Sequence, residues 1–273
     1  MYNINDYEQK YKTHLMYIYN NLGISNDSYI DGDLVDHVYY RLKNLNKYEN
    51  LNIVLQTGGG NLAAGTRLIN ILKNSNKKIE FTVLNRCNST GTYVLLSSDV
   101  INITDKSTIT PCEPQMMYGN ESISTSVIRN IIENCNLNVM NKLDPKIFGE
   151  YYATINYFKD ICYQVYPKEK ADLIINYMLN KVNSHQYPMS INDLNNLNIQ
   201  VNNLKNTEKL EYLESINDSL LEEFKDINTE GYIESRISLI SDCNGTIGYC
   251  KKYMKTNNSS KRTFEGYKEL DRR

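Results

Sequence analysis

The chain has 273 residues, 41% of them apolar, with 32 acidic and 30 basic side chains and a formal net charge of −2. That length holds one large domain, or a domain with appendages, and buries a core that needs no disulfide or metal staple. The balanced charge gives no reason to expect nucleic acid or an anionic membrane surface as a partner, and no stretch approaches the ~18 consecutive apolar residues of a membrane span.

Trp is absent, and 23 tyrosines carry the aromatic burial. The six cysteines (Cys87, Cys112, Cys135, Cys162, Cys243 and Cys250) are irregularly spaced, with no C-x-x-C, and only three histidines accompany them. No metal site and no cofactor are therefore expected. Scattered free thiols fit a reducing cytoplasm. The opening M-Y-N-I-N-D-Y-E-Q-K lacks the basic start and apolar run of a signal peptide.

Residues 2–22 read as a polar, Tyr-studded helix. Residues 31–45 read as an amphipathic helix, with Leu34, Val35, Val38, Leu42 and Leu45 at helical spacing and Asp31 or Asp33 as cap. A strand is expected at 51–57, a helix at 61–73, a strand at 78–84, a helix from 89 to 97 and a strand at 100–104. This alternation predicts βαβ units and a largely parallel sheet, whose strand C-termini share one edge where sites form. After Pro114 the pattern turns helical, at 122–136, 147–166 and 168–183, with Pro145 and Pro167 as breakers. A turn, a short helix and a strand fill 184–201, and a charged helix fills 206–227. Asn244-Gly245 marks a hairpin between 232–242 and 246–254. Residues 255–273 read as a polar, loose end.

Four short segments could carry chemistry. Thr57-Gly58-Gly59-Gly60 ends a strand and opens a helix, and its N–H groups can hold an oxyanion or simply turn the chain. It has neither the Lys-Ser/Thr of a P-loop nor the spacing of a dinucleotide loop. Asn88-Ser89-Thr90-Gly91 sits at a second strand-to-helix turn, where Ser89 is a nucleophile or a helix N-cap. His185 follows a helix and precedes Tyr187-Pro188, as a presented imidazole or a C-terminal cap. His14 and His37 lie on helical segments as surface or packing residues. In Thr110-Pro111-Cys112-Glu113-Pro114, Glu113 is rigidly framed, either to orient an imidazole or as a loop charge.

In this order the segments resemble the serine dehydrogenase proteinase family, relatives of the Clp proteolytic subunit and signal peptide peptidase A. Thr57-Gly58-Gly59-Gly60 is similar to the family's T-P-G-G, and Ser89-Thr90-Gly91-Thr92 to its S-A-G-T. Leu96 to Ile101 resembles L-A-A-D-E-I, and Thr110 to Pro114 resembles S-P-I-D-P. Lys142 to Gly149 echoes K-x-H-P-x-x-x-G, and Ser184-His185 through Val201 echoes S-H-x-x-x-I with its following helix and strand. The likeness spans roughly residues 30–201. Gly58 stands for Pro, Thr90 for Ala and Glu113 for Asp.

The resemblance implies a Clp protease/crotonase-like α/β spiral over 31–204. An N-terminal helical extension (1–30) and a C-terminal helix, β-hairpin and polar tail (205–273) would flank it. It implies Ser89 as nucleophile, His185 as base and Glu113 as the orienting acid, with Asp99 as a second choice. Gly59 or Gly60 with Thr90, and less directly Gly58, would form the oxyanion hole. Lys159 could serve as base in the manner of the signal peptide peptidases. The expected partners are a peptide or protein substrate and further copies of the chain. A catalytically degenerate scaffold, or a crotonase-like acyl-thioester enzyme, are the alternatives.

Overall fold

The computed structural model describes residues 2–20, 30–119, 121–134, 144–224, 234–255, 262–267 and 270–272. The chain begins with α1 (Ile4–Tyr11) and β1 (His14–Asn20), then α2 (Gly32–Leu42), β2 (Asn50–Gln56), α3 (Leu62–Lys73) and β3 (Lys78–Val83). Next come β4 (Arg86–Asn88), α4 (Thr90–Leu95), β5 (Val100–Ile103), β6 (Thr108–Thr110), β7 (Gln115–Tyr118), β8 (Glu121–Ser124) and α5 (Thr125–Asn134). The helical half holds α6 (Pro145–Val165), α7 (Lys168–Asn176), a π-helix (Tyr177–Lys181), α8 (Ile191–Asn196), β9 (Gln200–Asn203) and α9 (Glu208–Phe224). Strands β10 (Glu234–Asp242), β11 (Gly245–Lys255), β12 (Arg262–Tyr267) and β13 (Leu270–Arg272) follow.

Among the described residues the main sheet has nine strands, in the order β12-β11-β10-β1-β2-β3-β5-β9, with β13 also on β11. The run from β1 to β9 is parallel, and β10 joins β1 antiparallel. Side chains alternate between two covered faces. Met16, Ile18, Leu51, Ile53, Leu55, Phe81 and Val83 join the larger core, which includes residues of α2 and α3. Leu15, Tyr17, Tyr19 and Val54 face the other way, into a cluster with Tyr7 of α1 and Leu213, Ile216 and Leu220 of α9.

Three expectations need correction. Residues 14–20 form a central strand, not a continuation of the first helix. Buried on both faces, β1 has no polar alternation for a sequence to display. His14 accordingly starts a strand and is buried, with Tyr48 N–H donating to its Nε2 (3.0 Å). The helical reading of 122–136 holds from Thr125 to Asn134, because β7 and β8 form a hairpin first, and residues 135 and 136 lie outside the described residues. The end of the chain holds β12 and β13 rather than loose coil, and the Asn244-Gly245 hairpin extends the same sheet.

A polar seam crosses the α9 side of the sheet. Asn52 donates to the Tyr7 hydroxyl (2.8 Å), Thr82 to Asn52 Oδ1 (2.8 Å), Asn102 to Thr82 Oγ1 (3.3 Å) and Asn202 to Asn102 Oδ1 (3.2 Å). Asn52, Thr82 and Asn102 are fully buried, so each group relies on the next. Asn102→Ala leaves partners on both sides unmet and is expected to cost about 2 kcal/mol. A denaturant midpoint equal to that of the unmutated protein would count against the seam.

Candidate active site

Beyond β2, Thr57 pairs with Cys87: its N–H donates to Arg86 O (3.2 Å), and its carbonyl accepts from Asn88 N–H (3.1 Å). This bridge sets the glycine loop directly beside the turn that carries Ser89. Gly59 and Gly60 have φ of 121° and 148°. A β-carbon on Gly60 would fall 2.3 Å from Ile30 N and 2.5 Å from Ile30 O, and one on Gly59 would fall 2.8 Å from Ser89 Cβ. Only glycine serves where the loop threads between Ile30 and Ser89. Ile30 N–H donates to Gly59 O (2.8 Å), and Asn61 N–H donates to Ile30 O (2.9 Å). The Gly59 N–H is taken by Thr57 Oγ1 (3.0 Å). Among the described residues the N–H groups of Gly60 and Thr90 have no acceptor.

Ser89 joins β4 to α4 with φ 51° and ψ −120°. This is a conformation that residues with a β-carbon rarely adopt. Its side chain makes no capping hydrogen bond, so the N-cap reading fails. The turn is held from outside. Ser89 N–H donates to Thr110 O (3.2 Å), and the Thr92 hydroxyl lies 2.6 Å from that carbonyl and 3.1 Å from Cys87 O. Thr90, where the family motif has Ala, donates its hydroxyl to Gly60 O (2.7 Å) and ties the two loops together. A strained serine on a strand-to-helix turn is the arrangement that exposes a nucleophile.

His185 lies in a turn between the π-helix and α8 and is half-buried. Its segment reaches the same framework, because Met189 N–H donates to Ile109 O (2.8 Å) in β6, next to the Thr110 that holds Ser89. The His185 Nδ1 is buried and has no hydrogen-bond partner among the described residues, and the same holds for Asn88 Oδ1 beside Ser89. The buried Glu113 does not bond the imidazole Nδ1. Its carboxylate accepts from Ser126 N–H (2.8 Å), Gln115 Nε2 (3.1 Å) and the Ser124 hydroxyl. Asp99 is exposed at the N-terminal end of β5, 3.4 Å from Lys170, whereas the glycine loop follows the C-terminal end of its strand. Lys159 faces a cleft between α6 and α7 with Asp172 and Asn176, and that cleft includes no residue of the Ser89 or glycine loops.

Three contributors escaped the sequence reading. The hydroxyls of Thr57 and Thr92 lie within the quoted motifs, but a threonine there carries no signal of the bond it makes. Arg129 lies outside every motif, and only its bonds to residues 179–183 single it out. Elsewhere, Glu8, His14 and Cys243 offer donor atoms within 4.8 Å of one another. The Tyr48 N–H on Nε2 leaves the His14 proton on Nδ1, directed at Glu8 (3.2 Å), so these groups satisfy one another without an ion.

A parallel βαβ sheet with a glycine loop and a strained serine turn at its strand ends is a Clp protease-like architecture. The model of the ClpP-like SDH-type serine proteinase family matches residues 14–226, and the chain belongs to that family. Membership makes it a serine peptidase by class. Among solved structures, the 1510-N membrane-bound stomatin-specific protease is similar at 18% identity, covering 67% of this chain and 78% of that one, with a TM-score of 0.42. ClpP1 from Listeria monocytogenes is similar at 13% identity, covering 71% of this chain and 95% of that one, also with a TM-score of 0.42. No curated protein matches the chain. Among the described residues no helix is long and apolar enough to cross a membrane.

Proposed function

We propose that the chain cleaves a peptide bond, with Ser89 as nucleophile and His185 as general base. The observation that carries the reading is the Ser89 turn itself, strained at φ 51° and packed against Gly59. His185 takes the proton of the Ser89 hydroxyl as its Oγ bonds to the substrate carbonyl carbon. The N–H groups of Gly60 and Thr90, without an acceptor among the described residues, serve the resulting oxyanion in this reading; each donor of this kind contributes ~3 kcal/mol. The tetrahedral species collapses, the C–N bond breaks, and the amine leaves with the proton from His185. Water then attacks the acyl-serine by the same route in reverse roles. An ester would react in the same way.

Labelling with a fluorophosphonate probe tests this reading. Wild type is expected to label, and Ser89→Ala and His185→Ala, both folded, are expected not to. Well-folded wild type that stays unlabelled across pH would leave the alternative of a degenerate scaffold. That alternative draws on one observation, the lack of an acid on the His185 Nδ1.

Assembly of several copies is part of the proposal. Met117, Val127, Tyr152 and Tyr157 are each about half exposed or more on the β7, α5 and α6 side, which supports an inter-subunit surface there. A monomer mass in light scattering would oppose it. The buried, unpaired thiols of Cys87, Cys112 and Cys162 support a cytoplasmic setting.

A further inference from the structure

We propose that Arg129 is the positioning residue of His185, and that Glu113 serves the site through α5 rather than through the imidazole. The catalytic consequence rests on the hydrolase reading above, whereas the placement of the turn rests on geometry alone.

The π-helix ends four residues before His185, and its last carbonyls need donors from outside. Arg129 meets one of these and two acceptors just beyond the helix. Its guanidinium donates to Leu179 O, to Val182 O (3.1 Å) and to Asn183 Oδ1 (2.7 Å). One planar fork thus fixes three acceptors in the five residues that lead to the turn, which a single ammonium cannot reproduce. Ser126, one helical turn earlier on the same face of α5, places its hydroxyl 3.5 Å from Asn183 O.

Glu113 fixes where α5 begins. Its carboxylate receives the Ser126 N–H and the Ser124 hydroxyl, and Thr125 N–H donates to Pro114 O (3.1 Å). The order of support therefore runs from the Pro-framed Glu113 loop to the start of α5, from α5 through Arg129 to residues 179–183, and from there to His185. On the far side Met189 holds the turn to β6. The ring is aimed by its backbone at both ends, and its Nδ1 has no partner of its own among the described residues.

Two readouts test this: the rate of fluorophosphonate labelling, and amide hydrogen exchange over residues 184–189. Arg129→Ala is expected to label ~100-fold more slowly, the scale of a 1 Å misplacement. It should exchange faster in the turn and regain part of its labelling rate with added methylguanidinium. Arg129→Lys is expected to fall between Ala and wild type. A folded Arg129→Ala with wild-type labelling and exchange overturns the proposal. So does slow labelling with unchanged exchange and no rescue. Should Arg129→Ala fail to fold, Asn183→Ala removes one of the three acceptors: slower labelling with faster exchange supports the clamp, and no change in either overturns it. If wild type does not label at all, the hydrolase reading falls separately and exchange alone decides, faster in Arg129→Ala for the proposal and unchanged against it.

Discussion

Ser89→Gly is expected to abolish fluorophosphonate labelling and at the same time raise the melting temperature. A residue with a β-carbon at φ 51°, ψ −120° carries about 1–3 kcal/mol of backbone strain, and glycine carries almost none. The substitution forfeits little, because the Ser89 side chain makes no capping hydrogen bond. Part of the gain is offset by the greater freedom of glycine in the unfolded chain, which leaves an expected increase of about 2 °C or more for a chain of this size. Ser89→Ala is the matched control. It removes the same hydroxyl and keeps the strained turn, so its melting temperature should stay near that of wild type. Differential scanning calorimetry on the three proteins separates the two effects. A Ser89→Gly variant less stable than Ser89→Ala would show that the turn is not strained, and the main support for a nucleophile at this position would go with it.

Gly60→Ala is expected to be the most damaging single-methyl addition near the site. The new carbon would fall 2.3 Å from the backbone nitrogen of Ile30, and at φ 148° the conformation itself is one that side chains rarely adopt. Backbone atoms cannot swing aside like the end of a lysine. The loop or the Ile30 segment must move, at a cost of about 3 kcal/mol. Any movement also displaces the Gly60 N–H, so labelling should fall with stability. Gly149→Ala provides the contrast. Gly149 lies within α6 with open space around its missing β-carbon, and the same added methyl is expected to be neutral or to stabilise by up to about 1 kcal/mol. Equal denaturant midpoints for the two variants would refute the close packing of the glycine loop against Ile30.

Much of the architecture could be read from the chain because its signals are local. The βαβ alternation from β2 to β5 shows itself in short apolar runs broken by turn residues, and Asp31 caps α2 through Leu34 N–H as its position suggested. Glycines at Gly59 and Gly60 mark places where the backbone adopts what other residues avoid, and that requirement is written into the residue type. The motif order that pointed to the family is likewise a property of the one-dimensional string. The β1 strand was lost for the opposite reason. His14 to Asn20 is buried on both faces, on one by Leu213 and Leu220 of α9 far along the chain and on the other by the core that includes α2 and α3, and a strand covered on both sides keeps no alternation to display.

The same division holds at the site. Sequence alone determined that a serine and a glycine run would stand at neighbouring strand-to-helix turns, because a parallel sheet brings its strand ends to one edge. It left open whether Ser89 capped a helix or stood strained and uncapped, since both options use the same residue at the same boundary. The framework that decides this comes from Thr110, 21 residues away in the chain. Nor could it assign Glu113, whose loop looked suited to holding an imidazole. The carboxylate instead meets the start of α5, because Ser124 and Ser126 are brought to it by a hairpin that no local pattern announced. Charge and residue type are properties of the chain, whereas the partner of a buried charge is fixed only when distant segments pack around it.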